Sequence, residues 1–436
     1  MTPPADRFVL VILDGLGDLP HPHTEGRTPV EAARTPILDR AMRLGAMGDV
    51  VVVGVGTAPE SDAGVFALLG YDPVRDSPGR GVLEAEGIGI AVAPGDVAFR
   101  LNFATVAGDR RVLDARVGRS LATGEASSLA ESLTAADLLA DVGIRATVRA
   151  TVGHRGVLLL HPTRGGPLSP RVSNADPFYE RVGGMGRARA EAEPFVPPVV
   201  AEVDEPSATR TASATNLFLG RAGEMLAAHP TNARRALAGK KIANGLLLRN
   251  AGSAASPGPE PFARRWGLAA AAITEMPVER GIARLLGLGD DYIGPMGSDR
   301  DAGYGDRARR TLAALDRVPF VYVHLKGPDE PGHDGDAHRK REIVEAIDRS
   351  FFAPFFEGVD LERTRIAITA DHATPAIRKG HTDDPVPLLL LGAGIPATPP
   401  SPGATFGEPV ASRGSLGHLV GRDVMRLLLG RGPGPA

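Results

Sequence analysis

A run of residues near the start of the chain limits the possible folds more than any other feature. Residues 8–13, Phe-Val-Leu-Val-Ile-Leu, form an unbroken apolar run rich in β-branched side chains, and the run ends at Asp14. An unbroken run of this length indicates a strand that is buried on both faces. Such strands occur mainly in parallel sheets covered by helices, so the run predicts an α/β protein.

The same order of strand, polar loop and helix returns later in the chain. Residues 319–325 and 364–369 predict two more buried strands, each followed by polar residues, and residues 49–55 and 385–391 predict two others. Strands that alternate with helices are typical of a doubly wound, mostly parallel sheet, whose sites lie at the carboxyl ends of the strands. The fold class predicted is therefore α/β.

The middle of the chain has a different pattern. Residues 92–195 contain shorter strand-like runs separated by loops rich in Asp, Arg and Gly. We predict that they form a smaller α+β domain, which is inserted into a core built from residues 1–91 and 196–436. A chain of 436 residues is long enough for two such domains.

Composition excludes several classes of function. The net charge of −3, with acids and bases interspersed, gives no basic surface for nucleic acid. No apolar stretch approaches the roughly 18 residues of a membrane span, and no signal peptide is apparent. The chain has no cysteine, which removes disulfides and thiolate metal sites and favours a cytoplasmic location. The composition makes no prediction of the oligomeric state.

Carboxylates and imidazoles recur in the loops after the predicted strands. The six donors are Asp14, Asp329, His333, Asp371, His372 and His381. This mixture suits Mn²⁺, Zn²⁺ or Co²⁺, and six donors exceed a single tetrahedral site. Two ions about 3.5–4 Å apart could hold the attacking and leaving oxygens of a phosphoryl transfer. Any one of these residues alone is more simply a turn or surface residue, so the prediction depends on their combination.

Ser61 is the candidate nucleophile. It lies at the start of a helix predicted to run to Gly70, where backbone N–H groups favour a phosphoryl group. A serine hydroxyl needs a base or a metal to become a nucleophile. The alternative is that Ser61 only caps the helix, and Thr57 is a competing nucleophile.

Basic and polar residues supply candidate ligands for phosphate and carboxylate groups. Asp114, Arg116, Arg119, His154 and Arg155 come from the predicted inserted domain, and the predicted core adds Asn244, Arg249 and Lys326. Arginine matches such oxyanions with two parallel hydrogen bonds. For any single arginine, a solvated surface charge is the simpler interpretation.

The order of these residues resembles the archaeal-type cofactor-independent phosphoglycerate mutases of the alkaline phosphatase superfamily. The similar segments span nearly the whole chain. They are Asp14-Gly-Leu-Gly-Asp18, Thr35-Pro36, Leu38-Asp39, Ser61-Asp62, Leu69-Gly-Tyr-Asp-Pro73, Gly79-Arg-Gly81, Gly95-Asp-Val-Ala-Phe-Arg100, Asn102-Phe-Ala-Thr105, Lys326-Gly327, Asp329, Gly332-His-Asp-Gly335, Asp371-His-Ala-Thr-Pro375, His381 and Pro385-Val-Pro387.

The resemblance implies an alkaline-phosphatase-like core with an inserted cap domain, and two metal ions, most readily Mn²⁺. One metal would be held by Asp329, His333 and His381. The other would be held by Asp14, Ser61, Asp371 and His372. Ser61 would take the phosphoryl group of 3-phosphoglycerate and return it to the other hydroxyl, which makes the chain a glycolytic isomerase independent of 2,3-bisphosphoglycerate. Arg116, Arg119 and Arg155 would grip this substrate, and Asp114 or His154 would carry the proton.

Three departures from the family pattern put the substrate in question. Glu60 stands where glycine usually precedes the nucleophile, and Ala63, Gly64 and Val65 stand where a histidine often follows it. Phe178 replaces another histidine. The alternative is a mutase-like enzyme or phosphomonoesterase for another phosphorylated or phosphonate-bearing hydroxy acid. A non-catalytic metal-binding protein is a further hypothesis, whereas the absence of a phosphate loop ending in Lys-Ser or Lys-Thr weighs against a kinase.

Overall fold

A computed structural model describes residues 5–182, 185–189, 192–254 and 258–432. The chain divides into two compact units. The first unit contains the residues up to Asp76 and those from Glu260 onwards, and the second unit contains Ser77–Pro259.

Strands and helices are numbered here in chain order over the described residues. The strands are β1 (Arg7–Leu13), β2 (Gly45–Val51), β3 (Val97–Val106), β4 (Val112–Asp114), β5 (Ile144–Ala150), β6 (Arg155–Pro162), β7 (Tyr179–Val182), β8 (Met185–Ala188), β9 (Gly245–Gly252), β10 (Ala270–Thr274), β11 (Gly289–Tyr292), β12 (Phe320–Leu325), β13 (Thr364–Thr369), β14 (Val386–Gly392) and β15 (His418–Val420). The α-helices are α1 (Pro36–Arg43), α2 (Ser61–Leu68), α3 (Arg80–Gly87), α4 (Thr123–Ala135), α5 (Pro206–Ala227), α6 (Pro230–Leu237), α7 (Phe262–Trp266), α8 (Pro277–Leu286), α9 (Arg300–Leu315), α10 (Asp329–Asp334), α11 (Ala337–Ile347), α12 (Ala353–Gly358), α13 (Glu408–Ala411) and α14 (Gly421–Leu428). A π-helical turn at Asp348–Phe352 joins α11 to α12.

The first unit is built on one large sheet. Its strand order is β11-β10-β12-β1-β13-β14-β2-β15, and β1 pairs in parallel with both β12 and β13. The β1 residues from Phe8 to Leu13 are all buried, as an unbroken apolar run requires. The predicted α/β class with a mostly parallel sheet is confirmed. The carboxyl ends of β1, β12 and β13 therefore meet at one edge of the sheet.

Strand β14 departs from this order. It pairs antiparallel with β13 and with β2. Strand β2 begins at Gly45, earlier than the predicted residues 49–55. A Cβ atom at Gly45 would lie 2.4 Å from the Leu390 carbonyl oxygen, so the neighbouring backbone packs where only glycine fits.

The second unit is built on an antiparallel sheet of order β4-β3-β6-β5, with β9 also paired to β3. Side chains of β3 alternate between two cores, as the period of a strand requires. Val97, Phe99 and Leu101 lie in the larger core, whereas Ala98 lies in a smaller core with Val82 of α3. One face of the sheet is therefore apolar throughout, and the other combines a small core with polar positions.

This second unit is larger than the predicted insertion of residues 92–195. Helix α3 precedes that range, and α5, α6 and β9 follow it. They belong to the second unit because β9 pairs with β3 and because α3 packs on the same strands. A role of this unit as a cap stays a prediction. Among the described residues, no helix is both long and apolar enough to cross a membrane.

Candidate active site

Asp329, His333 and His381 form the first cation cluster. Asp329 and His333 lie one turn apart on α10, which begins directly after β12, and His381 lies in the loop before β14. Their ligand atoms converge: Asp329 Oδ1 lies 3.5 Å from His333 Nε2 and 3.3 Å from His381 Nε2. The two Nε2 atoms lie 3.2 Å apart. The loops after two strands thus bring three donors to one point.

The protonation of these imidazoles shows what the first cation cluster can hold. His333 Nδ1 donates to the Lys379 carbonyl at 3.3 Å, and His381 Nδ1 donates to the Pro59 carbonyl at 2.8 Å. In the neutral rings both Nε2 atoms therefore carry lone pairs, and these face each other and the carboxylate of Asp329. Three lone pairs at this spacing repel one another unless a cation lies between them. The donors fit a divalent metal of the kind that mixed oxygen and nitrogen ligands bind.

The electrostatics of the first cation cluster favour positive charge. Burial lowers the pKa of His381, but the hydrogen bond and charge of Asp329 raise it to about 9, with a contribution from Glu60. Burial and Asp14 raise the pKa of Asp329, but His381 and His372 lower it further, and the net shift is downward. A proton and a metal ion compete for the same lone pairs here.

Asp14, Ser61, Asp371 and His372 form the second cation cluster. Asp14 follows β1, and Asp371 and His372 follow β13. Asp14 Oδ1 lies 3.6 Å from His372 Nε2 and 3.4 Å from the Ser61 hydroxyl. Asp371 Oδ2 lies 3.5 Å from His372 Nε2. These ligand groups are at most 5% exposed apart from Ser61, so their charge needs a partner within the protein.

Thr374 joins the two cation clusters. Its hydroxyl donates to Asp329 Oδ1 at 2.7 Å, and its oxygen lies 3.0 Å from His372 Nδ1. Because a hydroxyl has one proton and that proton is used on the carboxylate, the Thr374 oxygen must accept from His372 Nδ1. The lone pair of His372 is therefore on Nε2, which faces Asp14 and Ser61.

Ser61 is the first residue of α2, and Glu60 occupies the cap position before it. The Ser61 hydroxyl lies 3.3 Å from His372 Nε2 and 3.4 Å from Asp14 Oδ1, so it faces the ligands and does not cap the helix. The helix comes close to the ligand loop because of Gly64, where a Cβ atom would lie 2.2 Å from the Asp371 carbonyl oxygen. Thr57 lies in the preceding turn, with its amide bonded to Gly54.

Lys326 extends the second cation cluster. Its Nζ lies 3.2 Å from Asp14 Oδ1 and 2.6 Å from Glu279 Oε1 of α8. Burial lowers the pKa of Lys326, but Asp14 and Glu279 raise it well above its ordinary value, so the group stays an ammonium ion. Lys326 was predicted to bind substrate, and the structure places it beside a predicted metal ligand.

Basic side chains gather on one face of the sheet in the second unit. Arg100 of β3 is paired with Arg249 of β9, and Asn102 of β3 is paired with Arg155 of β6. Paired residues of neighbouring strands point to the same face. The register therefore brings three arginines together, and Arg80 of α3 joins them. We call Arg80, Arg100, Arg155 and Arg249 the arginine cluster.

Buried carboxylates organise the arginine cluster. Glu84 Oε1 lies 3.3 Å from Arg80 Nε and 3.7 Å from Arg100 Nε. Burial raises the pKa of Glu84, but these two arginines and Arg155 lower it below its ordinary value. Asp176 pairs with Arg249 at 2.8 Å. Four guanidinium groups gathered on one face of the sheet suit an anionic ligand.

His154 lies next to the arginine cluster. Burial lowers its pKa to about 3, and the charges of Arg155, Arg116, Arg100 and Arg119 act in the same direction. Its imidazole is therefore neutral near pH 7 and can accept a proton. An anion that neutralises the arginines raises this pKa, because it removes the repulsion that opposes protonation.

The turn after β4 is backbone-strained. Val117 and Arg119 have φ values of +51° and +53°, and Gly118 between them has +62°. A β-branched residue is an outlier in this region, and such strain often accompanies a functional position.

Asp114, before the turn, is paired with Lys241 at 2.5 Å. Burial raises the pKa of Asp114 and Lys241 lowers it, with a net downward shift that makes Asp114 a weak base.

Several known proteins are similar to this chain over most of its length. The family model described as 2,3-bisphosphoglycerate-independent phosphoglycerate mutase matches residues 43–232. A protein of that name from Aeropyrum pernix is 42% identical over 418 residues, which cover 95% of this chain and 96% of the relative. Another from Methanopyrus kandleri is 39% identical over 427 residues, covering 97% of this chain and 96% of the relative.

The chain belongs to the 2,3-bisphosphoglycerate-independent phosphoglycerate mutase family. The PH0037 protein from Pyrococcus horikoshii has a similar solved structure, with a TM-score of 0.77, 29% identity and complete coverage of both chains. The cofactor-independent phosphoglycerate mutase from Thermoplasma acidophilum has a TM-score of 0.60 and 29% identity over 97% of this chain and 99% of that one. The family predicted from the motifs is confirmed, and it is a family of enzymes.

Two residues of this family member lie elsewhere than the sequence predicted. Asn244 and Arg249 were assigned to the core, but both belong to the second unit, because β9 pairs with β3. The Asn244 amide accepts from Val106 N at 2.9 Å and donates to Val106 O at 2.8 Å, so it holds the end of β3 and is occupied. Arg249 also stacks on Tyr179 at 3.5 Å from the ring centroid.

Several residues of the site were not singled out from the sequence. His324 and Glu279 lie within an apolar strand and an amphipathic helix, and each is at most 1% exposed. Buried charged or imidazole side chains in such segments are a recognisable signal. Arg80 and Arg100 stood only in short similar segments and Glu84 in none, because the packing of α3 on β3 and the pairing of β3 with distant strands bring them together.

Proposed function

We propose that this family member interconverts 3-phosphoglycerate and 2-phosphoglycerate through a phosphoserine at Ser61, without 2,3-bisphosphoglycerate. The observation that carries the proposal is the position of the Ser61 hydroxyl, within 3.4 Å of both Asp14 and His372 at the start of a helix. A hydroxyl there is beside an imidazole, a carboxylate and backbone donors at once.

In the first half of the reaction, Ser61 Oγ attacks phosphorus and the bond from phosphorus to the C3 oxygen breaks. His372 Nε2 carries its lone pair toward Ser61 and Asp14, because Thr374 accepts from Nδ1, and it would be a ligand of the cation, so the hydroxyl proton leaves to solvent water before the attack. Two divalent cations, Mn²⁺ by preference and Zn²⁺ or Co²⁺ as alternatives, would be held by the two cation clusters and would neutralise charge and acidify the hydroxyl. Lys326 adds a fixed positive charge beside Asp14.

In the second half, the C2 hydroxyl of glycerate attacks the phosphoserine and the bond from phosphorus to Ser61 Oγ breaks. The arginine cluster holds the substrate's anionic groups, with Arg116 and Arg119 on the strained turn as further contacts. Neutral His154 exchanges the proton of the glycerate hydroxyls, because a bound anion offsets the arginine charges that help to lower its pKa, and Asp114, which is paired with Lys241, is the alternative. A cytoplasmic location, which the absence of cysteine favours, belongs to the same proposal.

Phosphorus NMR of the purified protein tests the proposal. With 3-phosphoglycerate and Mn²⁺ but no bisphosphoglycerate, we expect 2-phosphoglycerate to accumulate to equilibrium. Ser61→Ala is expected to lower the rate by at least about 10⁴-fold, as the loss of a covalent nucleophile does. Thr57→Ala is the matched control and should retain activity.

Two other outcomes contradict the proposal in different ways. Steady release of inorganic phosphate from 3-phosphoglycerate would identify a phosphomonoesterase. Inertness toward 3-phosphoglycerate, together with turnover of another phosphorylated or phosphonate-bearing hydroxy acid, would keep the nucleophile and change the substrate. Phosphoserine at Ser61, detected by mass spectrometry after acid quenching, separates both cases from a protein that only binds metal.

A further inference from the structure

His324 is a buried imidazole that the proposed mechanism does not use. It lies near the end of β12 and is 1% exposed. Its Nε2 and the Oδ2 of Asp371 are both buried and have no hydrogen-bond partner within the described part of the chain, yet they lie 3.4 Å apart. Two unsatisfied polar atoms aimed at each other in the interior are costly unless something lies between them.

The other ring nitrogen of His324 has defined partners. Nδ1 lies 2.9 Å from the Tyr322 hydroxyl and 3.6 Å from Glu279 Oε1. The negative charge of Glu279 favours the tautomer with the proton on Nδ1. The lone pair is then on Nε2, as in histidines that bind a metal through one nitrogen while the other donates to a protein group.

The distances around His324 Nε2 are those of a ligand shell. Nε2 lies 3.7 Å from Asp14 Oδ1 and 3.4 Å from Asp371 Oδ2. Ligands about 2.0–2.2 Å from one tetrahedral ion are separated by roughly 3.4 Å. The spacing of Asp14 and Asp371 from His372 Nε2 is similar, at 3.6 and 3.5 Å.

The charges around His324 also favour a bound cation. Asp14, Asp371 and Glu279 are buried carboxylates, and Lys326 is the ammonium group paired with two of them. Three negative charges against one positive charge leave two that a divalent cation would balance.

We propose that His324 is a direct ligand of the cation held by the second cation cluster, and that Glu279 and Tyr322 are positioning residues that fix its tautomer. This inference rests on the proposed function, because it adds a ligand to one of the two metal sites that the function requires. The site then offers two imidazoles and two carboxylates, a donor set that favours a borderline transition metal over Mg²⁺.

NMR of the protein loaded with Co²⁺ gives a direct test, because an imidazole bound to Co²⁺ through one nitrogen shows a hyperfine-shifted N–H signal from the other. We expect four such signals, from His324, His333, His372 and His381, and His324→Asn should remove one of them. Val323→Ala is the matched control: it is equally buried on the same strand, but its side chain points to the opposite face, so all four signals should remain. Calorimetric titration of both variants counts the bound ions.

Outcomes of this test separate the inference from the proposed function. If the unaltered protein binds two cobalt ions and His324→Asn shows the same shifted signals, His324 is not a ligand and the inference fails. If the unaltered protein binds no second cation, the proposed metal mechanism itself fails. If His324→Asn does not fold, the unaltered protein loaded with Co²⁺ decides, because absence of a hyperfine-shifted N–H signal from His324 would refute the inference.

Affinity provides a quantitative check. His324→Asn, whose side chain is too short to reach the ion, should weaken binding of one Co²⁺ or Mn²⁺ ion by at least about 10–100-fold, the loss seen even for partners of metal ligands. The other ion, held by the first cation cluster, should bind as before. Glu279→Gln should weaken the same ion by a smaller factor. Unchanged affinity for both ions in His324→Asn would overturn the inference.

Discussion

In the first unit three buried carboxylates, Asp14, Asp371 and Glu279, lie around the ammonium group of Lys326, whereas in the second unit the arginine cluster gathers four guanidinium groups on one face of a sheet. The first arrangement attracts cations and the second attracts anions. The two clusters also differ in construction. Ligands of the first unit come from the carboxyl ends of parallel strands, while the arginines lie within antiparallel strands and meet by register.

This difference separates chemistry from recognition. A nucleophile and the cation ligands need fixed positions, and loops anchored at the ends of buried strands provide them. Recognition of a phosphate or carboxylate needs matched charge over a wider surface, which a sheet face provides. Substitutions in the first unit should therefore act mainly on the chemical step and on metal binding, and those in the second unit on stability, substrate affinity and pH dependence.

The largest effect is expected from a ligand of the first cation cluster. Asp329→Ala removes the carboxylate that faces two imidazole lone pairs. Activity should fall by more than about 100-fold, since even partners of metal ligands cost 10–100-fold. Asp334→Ala, an exposed position on the same helix, is the control and should keep its activity. Metal content by mass spectrometry and mutase rate are the two measurements, and a fully active Asp329→Ala would remove this cluster from the mechanism.

The next largest effect is expected on the stability of the arginine cluster. Glu84→Gln removes a buried charge that three arginines share, which leaves them to repel one another. We expect a loss of about 3–5 kcal/mol in the free energy of unfolding, as for other broken buried ion pairs. Urea unfolding followed by circular dichroism measures it. The control, Asp141→Asn, breaks an exposed pair with Arg221 and should lose much less.

An added anion gives a second test of the arginine cluster. If the cluster binds phosphate, sulfate should bind there too and should stabilise the unaltered protein more than chloride does at equal ionic strength, because an anion that binds the folded state raises its stability. A loss in Glu84→Gln no greater than that in Asp141→Asn would show that the arginines tolerate one another without this carboxylate.

Sequence and structure agree best where a buried strand ends. The positions of Asp14, Asp371 and His372 could be predicted because an apolar run followed by an acidic residue marks the edge of a parallel sheet. Asp329 and His333 were predicted from the polar segment after another such strand, although the structure has the short helix α10 where a loop was expected. The parallel sheet itself could be predicted for the same reason, since its strands are long and uninterrupted.

Other parts of the fold and of the site could not be predicted, because local sequence patterns do not show which distant segments pair. Arg249 was assigned to the core because no local signal shows that β9 pairs with β3, more than a hundred residues earlier. His324 was overlooked because it lies inside a strand pattern that otherwise predicts only core packing. The extent of the second unit likewise depends on pairing between distant strands. Antiparallel pairing of remote segments is a tertiary property, and short-range periodicity does not encode it.

A smaller effect is expected where the two cation clusters are joined. Thr374→Val keeps the shape of the side chain but removes the hydroxyl that donates to Asp329 and accepts from His372. Metal affinity or activity should fall by about 10–100-fold, as for other partners of metal ligands. Thr374→Ser retains the hydroxyl and should restore most of the loss. Calorimetry with Mn²⁺ and the mutase assay measure it, and equal behaviour of the Val and Ser variants would contradict a role for the hydroxyl.

The smallest effect concerns pH and tests the second unit. His154 has an ordinary pKa of 6.5 that falls to about 3 in the folded protein, so the unfolded chain binds a proton that the folded chain excludes between these values. Stability from this residue is therefore complete above pH 6.5 and is lost as the pH falls below it. His154→Gln should reduce the drop in unfolding midpoint between pH 7.5 and pH 5.

An NMR titration of His154 tests the same field directly. The His154 ring should stay neutral at pH 5 in chloride and shift toward protonation in sulfate, because sulfate offsets the arginine charges that lower its pKa. A His154 that titrates near 6.5 in both salts would mean that the arginine cluster exerts no field at this imidazole, and the contrast between the two units would rest on the first unit alone.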